Sequence, residues 1–123
     1  MPHATLADAP TFERPGFTFR PLAVPSRGSV ELAVWALEIA PGAVSESHSV
    51  SREEVFVLGS GAVAAVVGGS RAALAPGDAL IVPPGVELTL SNDGETAARL
   101  TVCTSAGMLG TVGGRTFPPP WAA

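Results

Sequence analysis

The chain has 123 residues, a length that a single domain fills and that excludes a second one. With 46% hydrophobic and 15% charged residues it is too apolar to be disordered, yet no apolar run approaches the ~20 residues of a membrane span. The formal net charge is −4, and the seven basic residues, all arginines, are scattered singly. Because no basic stripe is present, we do not expect nucleic acid as a partner. Because no apolar run is long enough to span a membrane, we do not expect a membrane partner either.

The two ends of the chain differ in composition from its middle. The N-terminal segment has no basic region followed by an apolar one, so no secretory signal is predicted and we expect a cytoplasmic protein. We interpret residues 1–15 as an N-terminal arm, 16–112 as the folded body and 113–123 as a Pro-rich C-terminal arm. Since a large apolar side chain is costly to leave in water, Trp121 is expected to dock on the body or on a second subunit.

The body of the chain is broken into short pieces by 14 Gly and 12 Pro, and no helical periodicity is sustained. This pattern predicts an all-β sandwich or barrel. Gly68-Gly69 and Asp93-Gly94 each predict a tight hairpin between antiparallel strands. The predicted strands are Phe17–Leu22, Val30–Ile39, Ser45–Val50, Glu54–Leu58, Ala62–Val67, Arg71–Leu74, Ala79–Val82, Val86–Asn92 and Ala97–Ser105.

Two glycine-bounded segments carry polar residues at regular spacing. Residues 41–61 read PGAVSESHSVSREEVFVLGSG, and residues 77–92 read GDALIVPPGVELTLSN. The spacing resembles the two motifs of the cupin superfamily, whose members are small jelly-roll barrels built as a double-stranded β-helix. The resemblance implies a single all-β cupin barrel and, as is common in that family, a homodimer. The residues in register are Gly42, His48, Glu54 and Gly61, followed by Gly77, Pro83, Gly85 and Asn92.

The resemblance also implies where a metal would be held. In metal-bearing cupins the two motifs present three His and one Glu, but here Val50 and Leu88 stand at two of the His positions. His48 and Glu54 alone are too few ligands for a stable transition-metal site, so no cofactor is expected. Strand alternation puts Glu46 on the same face as His48, and together with Glu54 these residues would hold a divalent metal weakly.

Alternation along the strands predicts the wall of an internal cavity. An apolar wall with a few convergent polar groups is the usual form of a small-molecule site. We therefore expect a small, largely apolar organic molecule as the partner. The side chains predicted to form this ligand pocket are Trp35, Val50, Phe56, Leu88, Leu90 and Asn92.

Three functions follow from this pattern. In the first, the protein is a metal-independent isomerase, cyclase or lyase in which His48, Glu54 and Glu46 perform general acid–base catalysis. In the second, the same polar groups orient a ligand in a non-catalytic binding or sensor module. The third is a metal-dependent cupin enzyme with an atypical His/Glu site. A purely structural alternative is a hydrogen bond between His48 and Glu54 that satisfies two buried polar groups.

Overall fold

The computed structural model describes all 123 residues and contains twelve strands and no α-helix. Two 3₁₀ turns, Pro25–Arg27 and Pro120–Ala122, complete the regular structure. No helical segment has the length and apolar character needed to cross a membrane. The strands are β1 (Phe12–Arg14), β2 (Phe17–Ala23), β3 (Leu32–Ile39), β4 (His48–Val50), β5 (Glu54–Ser60), β6 (Val63–Val67), β7 (Ser70–Leu74), β8 (Ala79–Val82), β9 (Leu88–Ser91), β10 (Ala98–Ser105), β11 (Gly110–Val112) and β12 (Arg115–Phe117).

The strands form two antiparallel six-stranded sheets, with the orders β1-β2-β3-β10-β5-β8 and β12-β11-β4-β9-β6-β7. In the first sheet β3 and β10 alternate strictly, so that every second residue is buried. Trp35 pairs with Val102 at the centre of this sheet, and both side chains belong to the core. Since successive side chains of a strand point to opposite faces, this alternation fixes which residues enter the interior. The predicted all-β jelly-roll barrel is confirmed.

The hairpin predicted at Gly68-Gly69 is confirmed. It joins β6 to β7, with Val67 opposite Ser70 across the turn. Both glycines have positive φ, 54° and 83°, the backbone conformation that a tight two-residue hairpin turn requires.

The hairpin predicted at Asp93-Gly94 is wrong. The strand before it, β9, belongs to the second sheet, and the strand after it, β10, belongs to the first, so the segment crosses between sheets. The Asn92 side chain secures this crossing, because its Oδ1 accepts from the Gly94 amide and its Nδ2 donates to the carbonyls of Ile39 and Thr96.

The observed strands differ from the predicted ones in two ways that affect the residues around the cavity. The strand predicted from Ser45 begins only at His48, which leaves Glu46 outside it, and three short strands were not predicted at all. Strand β1 lies in the predicted N-terminal arm and β12 in the C-terminal arm, where they form the edges of the two sheets. Strand β11 pairs with β4 and places Val112 beside His48.

The C-terminal segment packs against the barrel of its own chain, which is one of the two positions predicted for Trp121. The Trp121 ring stacks on Phe19 with 3.8 Å between ring centroids, and the Arg14 guanidinium lies 5.2 Å from the Trp121 ring centroid. The Ser26 hydroxyl donates to the Ala123 carbonyl at 2.6 Å. Because Trp121 is already buried, it no longer argues for a second subunit, and the homodimer stays a prediction.

Replacing Trp121 tests how much this docking stabilises the fold. We expect Trp121→Ala to lower the free energy of unfolding by about 3 kcal/mol, since it removes a large buried ring and its stacking partner's contact. Val30→Ala is the control, because Val30 is 87% exposed. Urea denaturation measures both variants, and equal stability of the two within about 0.5 kcal/mol would contradict the docking.

Candidate functional site

A cavity of about 230 Å³ lies inside the barrel and is lined by both sheets and by both terminal segments. Most of its wall is apolar, and aromatic rings form a large part of the side given by the first sheet. The first sheet contributes Arg14, Phe17, Phe19, Trp35, Leu37, Glu54 and Phe56, and the second contributes His48, Val50, Leu90, Gly110, Val112 and Phe117. The rest of the wall is Pro15, Val44, Ser45, Glu46, Met108, Pro119 and Trp121.

Glu54 is the most deeply buried acidic group of this cavity, with 3% of its surface exposed. It is the first residue of β5, where it lies opposite Thr104 of β10 and Val82 of β8. The Thr104 hydroxyl donates to the Glu53 carbonyl at 2.6 Å and is therefore not donated to the carboxyl group of Glu54. The Oε1 atom of Glu54 has no hydrogen-bond partner.

Burial without a partner changes the proton affinity of Glu54. A carboxylate in an apolar interior loses its hydration, which disfavours the charged form. Desolvation raises the pKa of Glu54 from 4.5 to about 7. Near neutral pH both protonation states are then populated, which is the condition a general acid–base group needs.

A second unpartnered polar atom belongs to the same cavity wall. Trp35, from the middle of β3, has 2% of its surface exposed, and its indole Nε1 finds no hydrogen-bond acceptor. Sequence alternation predicted Trp35 in the wall but gave no indication that its N–H lacks a partner. The cavity thus combines one donor and one carboxyl group, neither of which the protein satisfies.

His48 enters the cavity from the opposite sheet and is partly buried. Its Nδ1 lies 2.9 Å from the Glu46 carbonyl oxygen. Because a carbonyl only accepts, Nδ1 carries a proton, and in the neutral ring Nε2 is left with a lone pair. No hydrogen bond joins His48 to Glu54, so the structural alternative of a satisfied pair is wrong.

The residues at the family's metal positions do not fit a metal centre. Val50 lines the cavity with a hydrocarbon side chain, and Leu88 is directly opposite His48 in the pairing of β4 with β9. No group of three or more His, Cys, Asp or Glu side chains comes together anywhere in the chain. The predicted alternative set of His48, Glu54 and Glu46 does not assemble, because Glu46 precedes β4 and is exposed.

Two residues predicted in the ligand pocket lie elsewhere. Leu88 is buried in the core with 1% exposure and is not part of the cavity wall. Asn92 is also absent from the wall, since both ends of its amide are used to hold the crossing between β9 and β10. Trp35, Val50, Phe56 and Leu90 do line the cavity, together with the three polar residues His48, Glu54 and Glu46.

The part of the wall that comes from β2 and the chain ends was not predicted from the sequence. Phe17 and Phe19 are two residues apart on β2, so their alternation was a usable signal. Phe117 and Trp121 reach the cavity only because the C-terminal segment folds back over it. No local pattern in the sequence indicates that return.

The fold and the site define a small two-sheeted β-barrel with an internal, largely apolar cavity. Residues 35–104, more than half of the chain, match the family model of the cupin domain. The chain belongs to the cupin family. No match was found among curated proteins.

Several solved structures share this fold. KdgF from Halomonas sp. superimposes with a TM-score of 0.73 at 18% identity, covering 84% of this chain and 91% of that one. The polyketide cyclase RemF from Streptomyces resistomycificus gives a TM-score of 0.75 at 18% identity, covering 96% and 82%. Salicylate 1,2-dioxygenase from Pseudoaminobacter salicylatoxidans, in complex with gentisate, gives a TM-score of 0.74 at 24% identity. The match covers 86% of this chain but only 31% of the dioxygenase. These similarities establish the fold.

The raised pKa of Glu54 predicts how stability depends on pH. The folded protein holds the Glu54 proton more tightly than the unfolded chain, whose carboxyl titrates near 4.5. Stability is therefore lost as the pH rises from about 4.5 through about 7, and this loss amounts to about 3 kcal/mol at pH 8. Urea denaturation between pH 5 and 8 measures it.

Substitution isolates the contribution of Glu54 from that of the other titrating groups. Glu54→Gln should remove most of this loss, whereas Glu53→Gln, at the exposed neighbouring position, should keep the wild-type dependence. A Glu54→Gln variant whose stability still falls as steeply as that of the wild type would contradict the assignment.

Proposed function

We propose that the protein is a metal-independent enzyme that isomerises, cyclises or eliminates a small, largely apolar organic molecule by general acid–base catalysis. The observation that carries this proposal is the Glu54 carboxyl, buried in an apolar cavity with no protein partner and a pKa of about 7. A group of this kind exchanges protons readily at neutral pH. An unpaired buried carboxyl is also costly to the fold, which a purely structural role does not explain.

Glu54 is the proton acceptor in this proposal. In its ionised form it removes a proton from a carbon or hydroxyl group of the bound molecule, and the resulting acid returns the proton at a different position. The aromatic side of the cavity holds an apolar skeleton beside it and excludes water. Exclusion of water strengthens the basicity of the carboxylate, because its charge is poorly solvated there.

His48 is the second proton-transfer group. It belongs to β4 of the second sheet and Glu54 to β5 of the first, so the two side chains reach the cavity from opposite walls. With Nδ1 held by the Glu46 carbonyl, Nε2 is the atom available to the bound molecule. Glu46 is a positioning residue, and it acts through its backbone carbonyl; its side chain is at the exposed rim.

Metal independence is supported by the donor set. Val50 and Leu88 offer no ligand atoms at two of the four family positions, and stable transition-metal sites usually draw three or four protein ligands. Ring closure falls within the proposed class of reaction, and RemF, which shares the fold, is a polyketide cyclase.

Hydrogen–deuterium exchange at the carbon next to a carbonyl tests the proposal directly. A neutral bicyclic ketone, 2-tetralone, is incubated with the protein in D₂O, and loss of the α-proton signals is followed by NMR. We expect catalysed exchange whose rate rises through pH about 7 and then levels, because Glu54 acts as a base in its ionised form. Glu54→Gln should lower the catalysed rate by about 100-fold or more.

Two variants and one chelator complete the experiment. Glu46→Gln keeps the backbone carbonyl that holds His48, so it should retain activity within about threefold, whereas His48→Ala should reduce it. Treatment with EDTA should leave the rate unchanged. Activity that is lost with EDTA and restored by a divalent metal would show a metal-dependent enzyme, and a probe that binds without faster exchange than in Glu54→Gln would show a binding module.

A further inference from the structure

Two buried side-chain polar atoms of this chain lack a hydrogen-bond partner, and both belong to residues of the same cavity wall. They are Nε1 of Trp35 and Oε1 of Glu54. Folded proteins satisfy nearly all buried polar groups, so two exceptions in one apolar cavity require an explanation. Since no protein atom satisfies them, the missing partners are most simply supplied by a molecule that enters the cavity.

Strand register fixes how these two groups are placed. Trp35 lies opposite Val102 of β10, and Val102 lies opposite Phe56 of β5, two residues after Glu54. Two strand spacings of ~4.8 Å and two residue rises of ~3.4 Å put the two backbones roughly 12 Å apart. Both residues line the cavity, on separate strands of the same wall.

The chemistry of the Trp35 group restricts what that guest is. An indole N–H only donates, so its partner is an acceptor such as a carbonyl or phenolic oxygen. Arg14 is the only basic side chain apart from His48 in the wall, and its guanidinium lies over Trp121 while its Nη1 donates to the Glu13 carbonyl. Arg14, the one permanent cation of the wall, is thus already engaged by the Trp121 ring and the Glu13 carbonyl.

We propose that the substrate is a neutral cyclic or aromatic carbonyl compound whose oxygen accepts a hydrogen bond from Nε1 of Trp35. This inference rests on the proposed function of Glu54. The Glu54 carboxylate takes the proton from the carbon beside the carbonyl, and the C–H electron pair forms a carbon–carbon double bond. The carbonyl π pair moves to the oxygen, and the Trp35 N–H stabilises that enolate oxygen. In a β,γ-unsaturated ketone, Glu54 then returns the proton to the γ-carbon, the oxygen pair re-forms the carbonyl and the double bond moves between the α- and β-carbons, which completes an isomerisation.

The conservative variant Trp35→Phe tests the role of the N–H while keeping an aromatic ring in the wall. Calorimetry measures binding of 2-tetralone and of tetralin, which has the same two-ring skeleton without the oxygen. The wild type should prefer the ketone by about tenfold, the strength of one buried hydrogen bond. Trp35→Phe should lose this preference, with tetralin bound as tightly as before within about threefold. Val30→Ala, at an exposed position outside the cavity wall, should keep the preference.

Charged probes on the same skeleton test the substrate class. Tetralin-2-carboxylate and 2-aminotetralin should both bind more weakly than 2-tetralone. Tighter binding of either ion would overturn the proposal, as would failure of all four probes to bind at millimolar concentration. An equal loss of ketone and tetralin affinity in Trp35→Phe would show that Trp35 only packs, which also overturns it.

The experiment separates this inference from the proposed function. In Glu54→Gln the preference for ketone over tetralin should persist, because Trp35 is unchanged, while α-proton exchange is lost. If exchange depends on Glu54 but the wild type shows no preference for the ketone, then the role of Trp35 fails and the acid–base proposal stands. If the preference depends on Trp35 but no exchange occurs, the acid–base proposal fails instead.

Discussion

The alternation of side chains along two facing sheets decides which residues of this barrel are buried. In a barrel of this size, every second residue of a strand enters the interior, where water is not available to satisfy polar groups. The strands meet this condition with hydrocarbon and aromatic side chains at nearly every inward position. Asn92 meets it by bonding to three backbone groups, and Thr104 by donating to the Glu53 carbonyl. Oε1 of Glu54 and Nε1 of Trp35 are buried without a hydrogen-bond partner in the protein.

The two ends of the chain form part of the cavity wall. Strands β1 and β12 extend the sheets at their edges, and the C-terminal turn brings Trp121 onto Phe19 of β2. The Arg14 guanidinium lies over the Trp121 ring. The terminal segments thus contribute to both stability and the shape of the cavity, and a change at Trp121 is expected to affect both.

Much of the fold was predictable from the sequence because its signals are local. Alternation in β3 and β10 and the paired glycines at 68 and 69 each specify their structure within a few residues. The crossing at Asp93-Gly94 was not predictable in this way, because the same turn residues suit a hairpin or a passage between sheets. The three-residue strands β1, β11 and β12 are too short to show a period.

The site was predictable in its residues but not in its bonding. The motif spacing identified His48 and Glu54, and alternation added Trp35, Val50, Phe56 and Leu90, all of which line the cavity. Asn92 holds the crossing between the sheets partly by donating to the Ile39 carbonyl, 53 positions away along the chain. Local sequence patterns do not reveal a hydrogen bond over that separation. That Trp35 and Glu54 lack partners is likewise a property of the assembled barrel.

Titration of the Glu54 carboxyl by NMR shows whether this group is a base suited to neutral pH. With glutamate labelled by ¹³C at the side-chain carboxyl, NMR follows each Glu signal against pH, and Glu54→Gln identifies the signal of Glu54. We expect a midpoint of about 7, produced by burial without a partner. A midpoint near the ordinary value of 4.5 would contradict it, because the carboxyl would then be solvated or paired and would not be a base suited to neutral pH.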